Sequence, residues 1–255
     1  MAVPDRREDA DTRRTMTTRN DEFSPQLYAR MAGFLYLIII AGGAFAEIFV
    51  RQRLVVSNDA AATANNILAH EQLYRWGFAA QLVPLLCNMF LAVLLYELFA
   101  IVNRRLAWTV VFCSLVGSAV EAAGLLNHFE PLILLKRGQE LGVDLHLVQA
   151  QAYMTLRLQA IGFSVALTFF GCVCLVRGYL IYRSRFLPRV IGLFLAIEGA
   201  CYLINSFTNF LAPAFAARVF AVLMVSALGQ VFLCLWLLFR GVNVTKWNEL
   251  ASGDQ

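Results

Sequence analysis

Six blocks of about 20 or more mainly apolar residues dominate this chain, at about 29–50, 75–101, 107–130, 156–179, 187–210 and 216–239. The hydrocarbon core of a bilayer is about 30 Å thick, and about 20 apolar residues in α-helix cross it. Lipid offers the backbone no hydrogen-bond partner, so a crossing segment must be a helix or part of a closed barrel. Barrel strands alternate apolar and polar residues over about ten positions; these blocks are longer and continuous. The expected fold class is therefore all-α, a polytopic membrane bundle of six transmembrane helices. Composition points the same way. The chain is 60% hydrophobic and 15% charged, against about 45–50% and about 25% for soluble domains. A soluble globular protein, a disulfide-stapled secreted domain and a nucleic-acid-binding domain are all excluded. The six cysteines (Cys87, Cys113, Cys172, Cys174, Cys201, Cys234) fall inside the blocks and read as small apolar residues.

Basic residues beside the spans set the orientation. Fourteen Lys and Arg flank one side, from Arg6 through Arg30, Arg104, Arg105, Arg177, Arg183, Arg185 and Arg189 to Arg240 and Lys246. Seven flank the other: Arg51, Arg53, Arg75, Lys136, Arg137, Arg157 and Arg218. The richer side is expected to be cytoplasmic, with both termini there. Residues 1–27 read as a disordered cytoplasmic tail, 28–242 as the transmembrane domain and 243–255 as a second cytoplasmic tail. Two longer loops, 51–74 and 131–155, are expected outside. Ser57-Asn58-Asp59 ahead of Ala60 reads as the cap of a short helix lying on the surface. Tyr74, Trp76, Trp108, Tyr153, Tyr179, Tyr182 and Trp247 sit near span ends, where an aromatic belt belongs.

Glu47, Glu121 and Glu198 lie inside the blocks. An ionisable side chain at mid-membrane costs about 2.5–3.5 kcal/mol on insertion scales, so three facing lipid would cost roughly 8–10 kcal/mol. They are expected to face protein or water, or to be protonated. Seven or eleven residues along a helix return to within about 20° of the start. Glu121 and His128 share a face on that rule, as do Glu198, Asn205 and Asn209; Gln81 and Asn88; Arg157, Ser164 and Thr168; and Tyr36, Gly43 and Glu47. Polar stripes turned inward form a bundle interior. The expected site is one polar pocket opening toward the outer face, built from Glu47, Gln81, Asn88, Glu121, His128, Arg157, Glu198 and Asn205.

No known chemistry fits that set. Haem or metal binding needs several converging His, Cys or carboxylate ligands, and only His128 lies near a span, so neither cofactor nor metal is expected. Ser164, in Gly162-Phe163-Ser164, has no histidine in any later span to activate it. No GxxxxGK[ST], GxGxxG or HExxH sequence occurs.

Several segments carry a family resemblance: YARMAGFLYLIIIAGGAFAE at 28–47, LLYELFAIVNRRLAW at 94–108, GLLNHF at 124–129, RSRFLPRVIG at 183–192 and YLINSF at 202–207. Over about 28–242 the chain resembles the bacterial membrane family catalogued as domain of unknown function 4386, and FLPRVIG is the most specific part. Pro188 there suits the first turn of the fifth span. The resemblance implies a multi-pass protein of the bacterial inner membrane and carries no assigned activity.

The residues thus favour a non-enzymatic protein that lives in the lipid bilayer and binds or transports a small solute or lipid. Two other readings are a membrane-embedded enzyme acting on a lipid or isoprenoid, and an accessory subunit with a membrane protein partner. The orientation is testable directly. A cysteine placed within 131–155 is expected to react with an impermeant thiol reagent outside intact cells; labelling only after lysis would reverse it.

Overall fold

A computed structural model describes residues 24–212, 214–215 and 228–252. Residues 1–23 of the expected tail and 216–227 of the expected sixth span lie outside the described residues. Within them the chain is helical, with no strand. Helix α1 is Pro25–Leu54. Ser24 starts it: its hydroxyl accepts from the Leu27 amide at 3.2 Å, with Pro25 in the first turn. Helix α2 is Ala60–Ala69, and the Asp59 carboxylate accepts from the Ala62 amide at 2.8 Å. Then follow α3 (Glu71–Glu140), α4 (Leu145–Ser184), α5 (Arg189–Leu211), α6 (Leu228–Phe239) and α7 (Val244–Ser252).

Among the described residues, four helical stretches are long and apolar enough to cross a membrane, or five if α6 and α7, bent by 94°, count as one. The 70 residues of α3 would reach about 105 Å if straight. They do not, because Asn103 leaves the helical region at φ −160°, ψ 104°. Its side chain then accepts from the Leu106 amide at 3.0 Å and restarts the helix. The limbs 71–102 and 104–140 fold back on each other: Asn88 donates to the Ser118 hydroxyl at 2.8 Å, and Lys136 pairs with Glu71 at 2.7 Å.

The helices run up and down between two ends. One end gathers Gln26, Leu98, Phe186 and the 241–243 turn. There Gln26 bonds the Arg240 carbonyl and the Val242 amide, each at 3.0 Å. Trp247 of α7 donates to the Leu98 carbonyl at 3.2 Å. The segment expected as a second tail therefore holds a helix docked on the bundle. The main apolar core, including Ala32, Leu91, Leu95, Leu180, Leu195, Leu233 and Leu237, lies on this side. The other end carries α2. Its apolar face is buried through Ala64 and Ile67 against Leu54, Tyr74, Leu132, Leu135, Val148 and Ala152. So α2 is not merely laid on a surface; it caps a second small core. The expected 131–155 loop is also mostly helix. It shrinks to a turn at 141–144, where Asp144 caps α4 by accepting from the Leu147 amide at 3.0 Å. At 40 residues, about 60 Å, α4 outreaches the hydrocarbon core and supplies Val148 and Ala152 to that cap.

Four glycines join α4 to α5. Gly171 meets Gly199 and Gly178 meets Gly192, two turns apart on each helix. A Cβ added at Gly178 would stand 2.6 Å from the Gly192 carbonyl oxygen and 2.9 Å from the Ala196 amide. Neither is a flexible side-chain end, so the backbones themselves would have to part. Gly178→Ala is expected to destabilise the protein by about 1–3 kcal/mol, the range of overpacked cores. Detergent unfolding curves check this, and an unchanged midpoint would contradict the backbone contact.

Candidate functional site

The cleft sits at the α2 end, between the last turns of α1, the α3 hairpin and the start of α4. Its volume is about 350 Å³, and its walls include Glu47, Arg51, Ser57, Tyr74, His128, Tyr153, Arg157 and Gln159 among apolar Val50, Leu54 and Leu156. The α1 wall is unusual. Phe45–Arg51 forms a wider turn of i→i+5 hydrogen bonds, a local form that recurs at functional sites. Glu47 and Arg51 lie within it, half-exposed and 3.9 Å apart.

On the α3 side, Tyr74, Phe78 and Gln81 share a face by their spacing of four and three. That face meets His128 on the returning limb. Tyr74 stacks on the imidazole at 4.6 Å and donates its hydroxyl to the His128 carbonyl. The ring is buried, and a chain of side chains orders it. Gln159 donates Nε2 to Gln81 Oε1 at 3.1 Å, which leaves Gln159 Oε1 toward His128 Nδ1 at 3.3 Å. A carbonyl oxygen can only accept, so Nδ1 donates, and in a neutral ring Nε2 is then an acceptor. Nε2 is buried with no protein partner among the described residues.

On the α4 side, Asn58 takes a left-handed turn at φ 62°, which asparagine tolerates better than most residues. The turn presents the Asn58 amide to the Tyr153 oxygen at 2.8 Å and its side-chain oxygen to Arg157 Nη2 at 3.0 Å. Arg157 also lies over the Tyr153 ring at 5.4 Å. Two guanidinium groups and one carboxylate thus border a half-apolar hollow.

The eight residues expected to share one pocket do not all meet there. Glu47, His128 and Arg157 line the cleft, and Gln81 supports it through Gln159. Asn88 instead holds the α3 hairpin through Ser118. Glu121 is half-buried with no hydrogen bond or ion pair among the described residues. Asn205 is buried; its carbonyl accepts from Asn209 at 3.0 Å, and its Oδ1 has no partner among the described residues. Glu198 belongs to a second polar cluster with Tyr202, Gln230, Arg177 and Tyr36. The reason is lateral. Helical spacing says which residues share a face, not which neighbour that face meets.

Sequence reasoning missed Tyr74, Tyr153 and Gln159 in the cleft, and Asn58 as the residue that holds Tyr153 and Arg157. Tyr74 and Tyr153 were assigned to the interfacial belt, yet Tyr74 is 1% exposed. Gln159 stands in the sequence as an amide in an apolar block, but it lies two residues from Arg157 and so off the Arg157 face. Arg177 was read as a flanking charge; it is buried. Gln230 was visible as an amide within the sixth block.

The family described as Domain of unknown function (DUF4386) matches residues 31–241. The chain belongs to that family. No curated protein and no solved structure matches it. The match covers every helix that builds the cleft except the first turns of α1, so the cleft is part of the family domain.

Gln159 is the hinge of the amide chain. Gln159→Leu would leave both His128 Nδ1 and Gln81 Oε1 without a partner, at about 1–3 kcal/mol for the buried imidazole and less for half-buried Gln81. Thermal unfolding in mild detergent is expected to fall accordingly. A variant as stable as the wild type would show that these bonds order nothing.

Proposed function

We propose that this is a multi-pass integral membrane protein that binds a small solute or a lipid headgroup in the cleft. The observation that carries this reading is the composition of the cleft wall. It combines a hollow of about 350 Å³, an apolar floor and fixed polar groups, the usual make-up of a small-molecule site. Arg51 and Arg157 outnumber Glu47, which favours a ligand with an anionic group. The buried His128 Nε2 adds an acceptor for a ligand hydroxyl or amine. A bidentate guanidinium contact would orient the anionic group, and the wider turn at Phe45–Arg51 gives α1 a place to adjust.

Six crossings with both termini in the cytoplasm complete the proposal. The break of α3 at Asn103 supports counting its limbs as two spans. The distribution of Lys and Arg supports placing the α2 end, and with it the cleft, outside. The membrane in question is then the bacterial inner membrane.

Native mass spectrometry of gently extracted protein tests the binding. One small molecule or lipid species is expected to stay bound above the phospholipid background. Arg157→Gln is expected to lower its occupancy about tenfold or more, the scale of one lost charge-assisted hydrogen bond. Equal adducts of bulk phospholipid in both proteins would remove the reading.

A further inference from the structure

Glu198 has no exposed surface. Its Oε1 accepts from the Tyr202 hydroxyl at 2.6 Å and from Gln230 Nε2 at 2.8 Å. Gln230 also donates to the Tyr202 oxygen at 3.1 Å, so the three groups form a closed set. Oε2 is different: it is equally buried and takes no hydrogen bond of good geometry among the described residues, although the Gln230 backbone N–H also lies near the carboxyl. Its surroundings are tight, because a Cβ on Gly229 would stand 2.8 Å from it. A carboxylate spreads its charge over both oxygens and needs donors at both. A carboxylic acid takes its donors on the carbonyl oxygen and leaves only a neutral hydroxyl unsatisfied, which costs far less than a buried charge.

Among the described residues, Arg177 is the cation within electrostatic reach of Glu198. It is also buried. It donates to the Tyr36 hydroxyl and lies over the Tyr36 ring at 5.7 Å. Ion pairs within 4.0 Å among the described residues occur at Glu47, Glu71 and their partners, not here. Arg177 Nε, like Glu198 Oε2, lacks a partner among the described residues. The cluster therefore holds one orphaned donor and one orphaned acceptor of complementary charge.

We propose that Glu198 is an internal proton-binding site, neutral while it rests on Tyr202 and Gln230, whose proton release lets the carboxylate pair with Arg177. In that step the Oε2–H bond breaks, the electron pair stays on the carboxylate, and a water molecule takes the proton. Among the described residues, the groups that face the site are Tyr202 on its own helix, Arg177 and Cys174 from α4, Tyr36 from α1, and Gln230 and Cys234 from α6. None of these is a second acid. None of these residues lines the cleft, so this site stands independently of the binding reading above.

Infrared spectroscopy of the full chain in membranes tests it. At neutral pH the protonated-carboxyl C=O band is expected to lose one component in Glu198→Gln. Thermal stability is expected to be retained, because glutamine copies the neutral acid. Raising the pH is expected to replace that component by a carboxylate band, and Arg177→Gln to move the replacement about 1–3 units higher. Tyr202→Phe, which keeps the ring, should shift the same band by removing a donor from its oxygen. The proposal is overturned if Glu198→Gln removes a carboxylate band at neutral pH, or if the C=O band ignores Tyr202→Phe.

Discussion

The arrangement depends on the backbone contact between α4 and α5 at Gly171, Gly178, Gly192 and Gly199. Inside a bilayer the lipid tails are as apolar as leucine, so burying more leucine drives little association. Close packing and polar contacts must hold helices together instead. The glycines allow the two backbones to touch, and their two-turn spacing keeps one face of each helix in the seam. Arg177 precedes Gly178 and Glu198 precedes Gly199. The contact that brings the helices together therefore also carries a cation and an acid inward.

Polar groups in this protein are not pooled; they are settled locally, in two places with different surroundings. At the α2 end, the second small core of Ile67, Leu132, Leu135 and Val148 braces a cleft whose charged groups stay partly exposed. Water or a ligand can satisfy them there. Deeper in the bundle, Glu198 and Arg177 rely on Tyr202, Gln230 and Tyr36. The same chemical problem, a polar side chain in a low-dielectric medium, thus has an open answer at one end and a closed answer inside.

Much of the fold was legible. The apolar blocks mark helices because lipid leaves the backbone no other choice, and Asp59 announces α2 because a carboxylate can satisfy an unpaired amide at a helix start. The inward placement of Glu198 and His128 was readable from the cost of facing lipid. The pairing of faces was not. Glu121 and Glu198 occupy equivalent-looking stripes, yet only Glu198 meets Tyr202 and Gln230. Arg177 resembles a flanking charge because distance along the chain from a span end does not report burial. Tyr74 and Tyr153 misled in the same way, since a tyrosine near a span end suits either lipid headgroups or a protein hydrogen bond. The 131–155 stretch read as a loop because its polar residues interrupt the apolar blocks, whereas a helix outside such a block needs only a cap such as Asp144.

The amino-acid sequence by itself determined the all-helical class, where the apolar segments lie and which side chains must avoid lipid. Those follow from local hydrophobicity and from backbone hydrogen bonding, and both are properties of short stretches. Only the tertiary structure decided which polar stripes meet, that Gln159 joins Gln81 to His128, and that Glu198 and Arg177 come to lie near each other without pairing. Such contacts depend on lateral helix packing, and packing is set by glycine seams and side-chain shapes far apart along the chain.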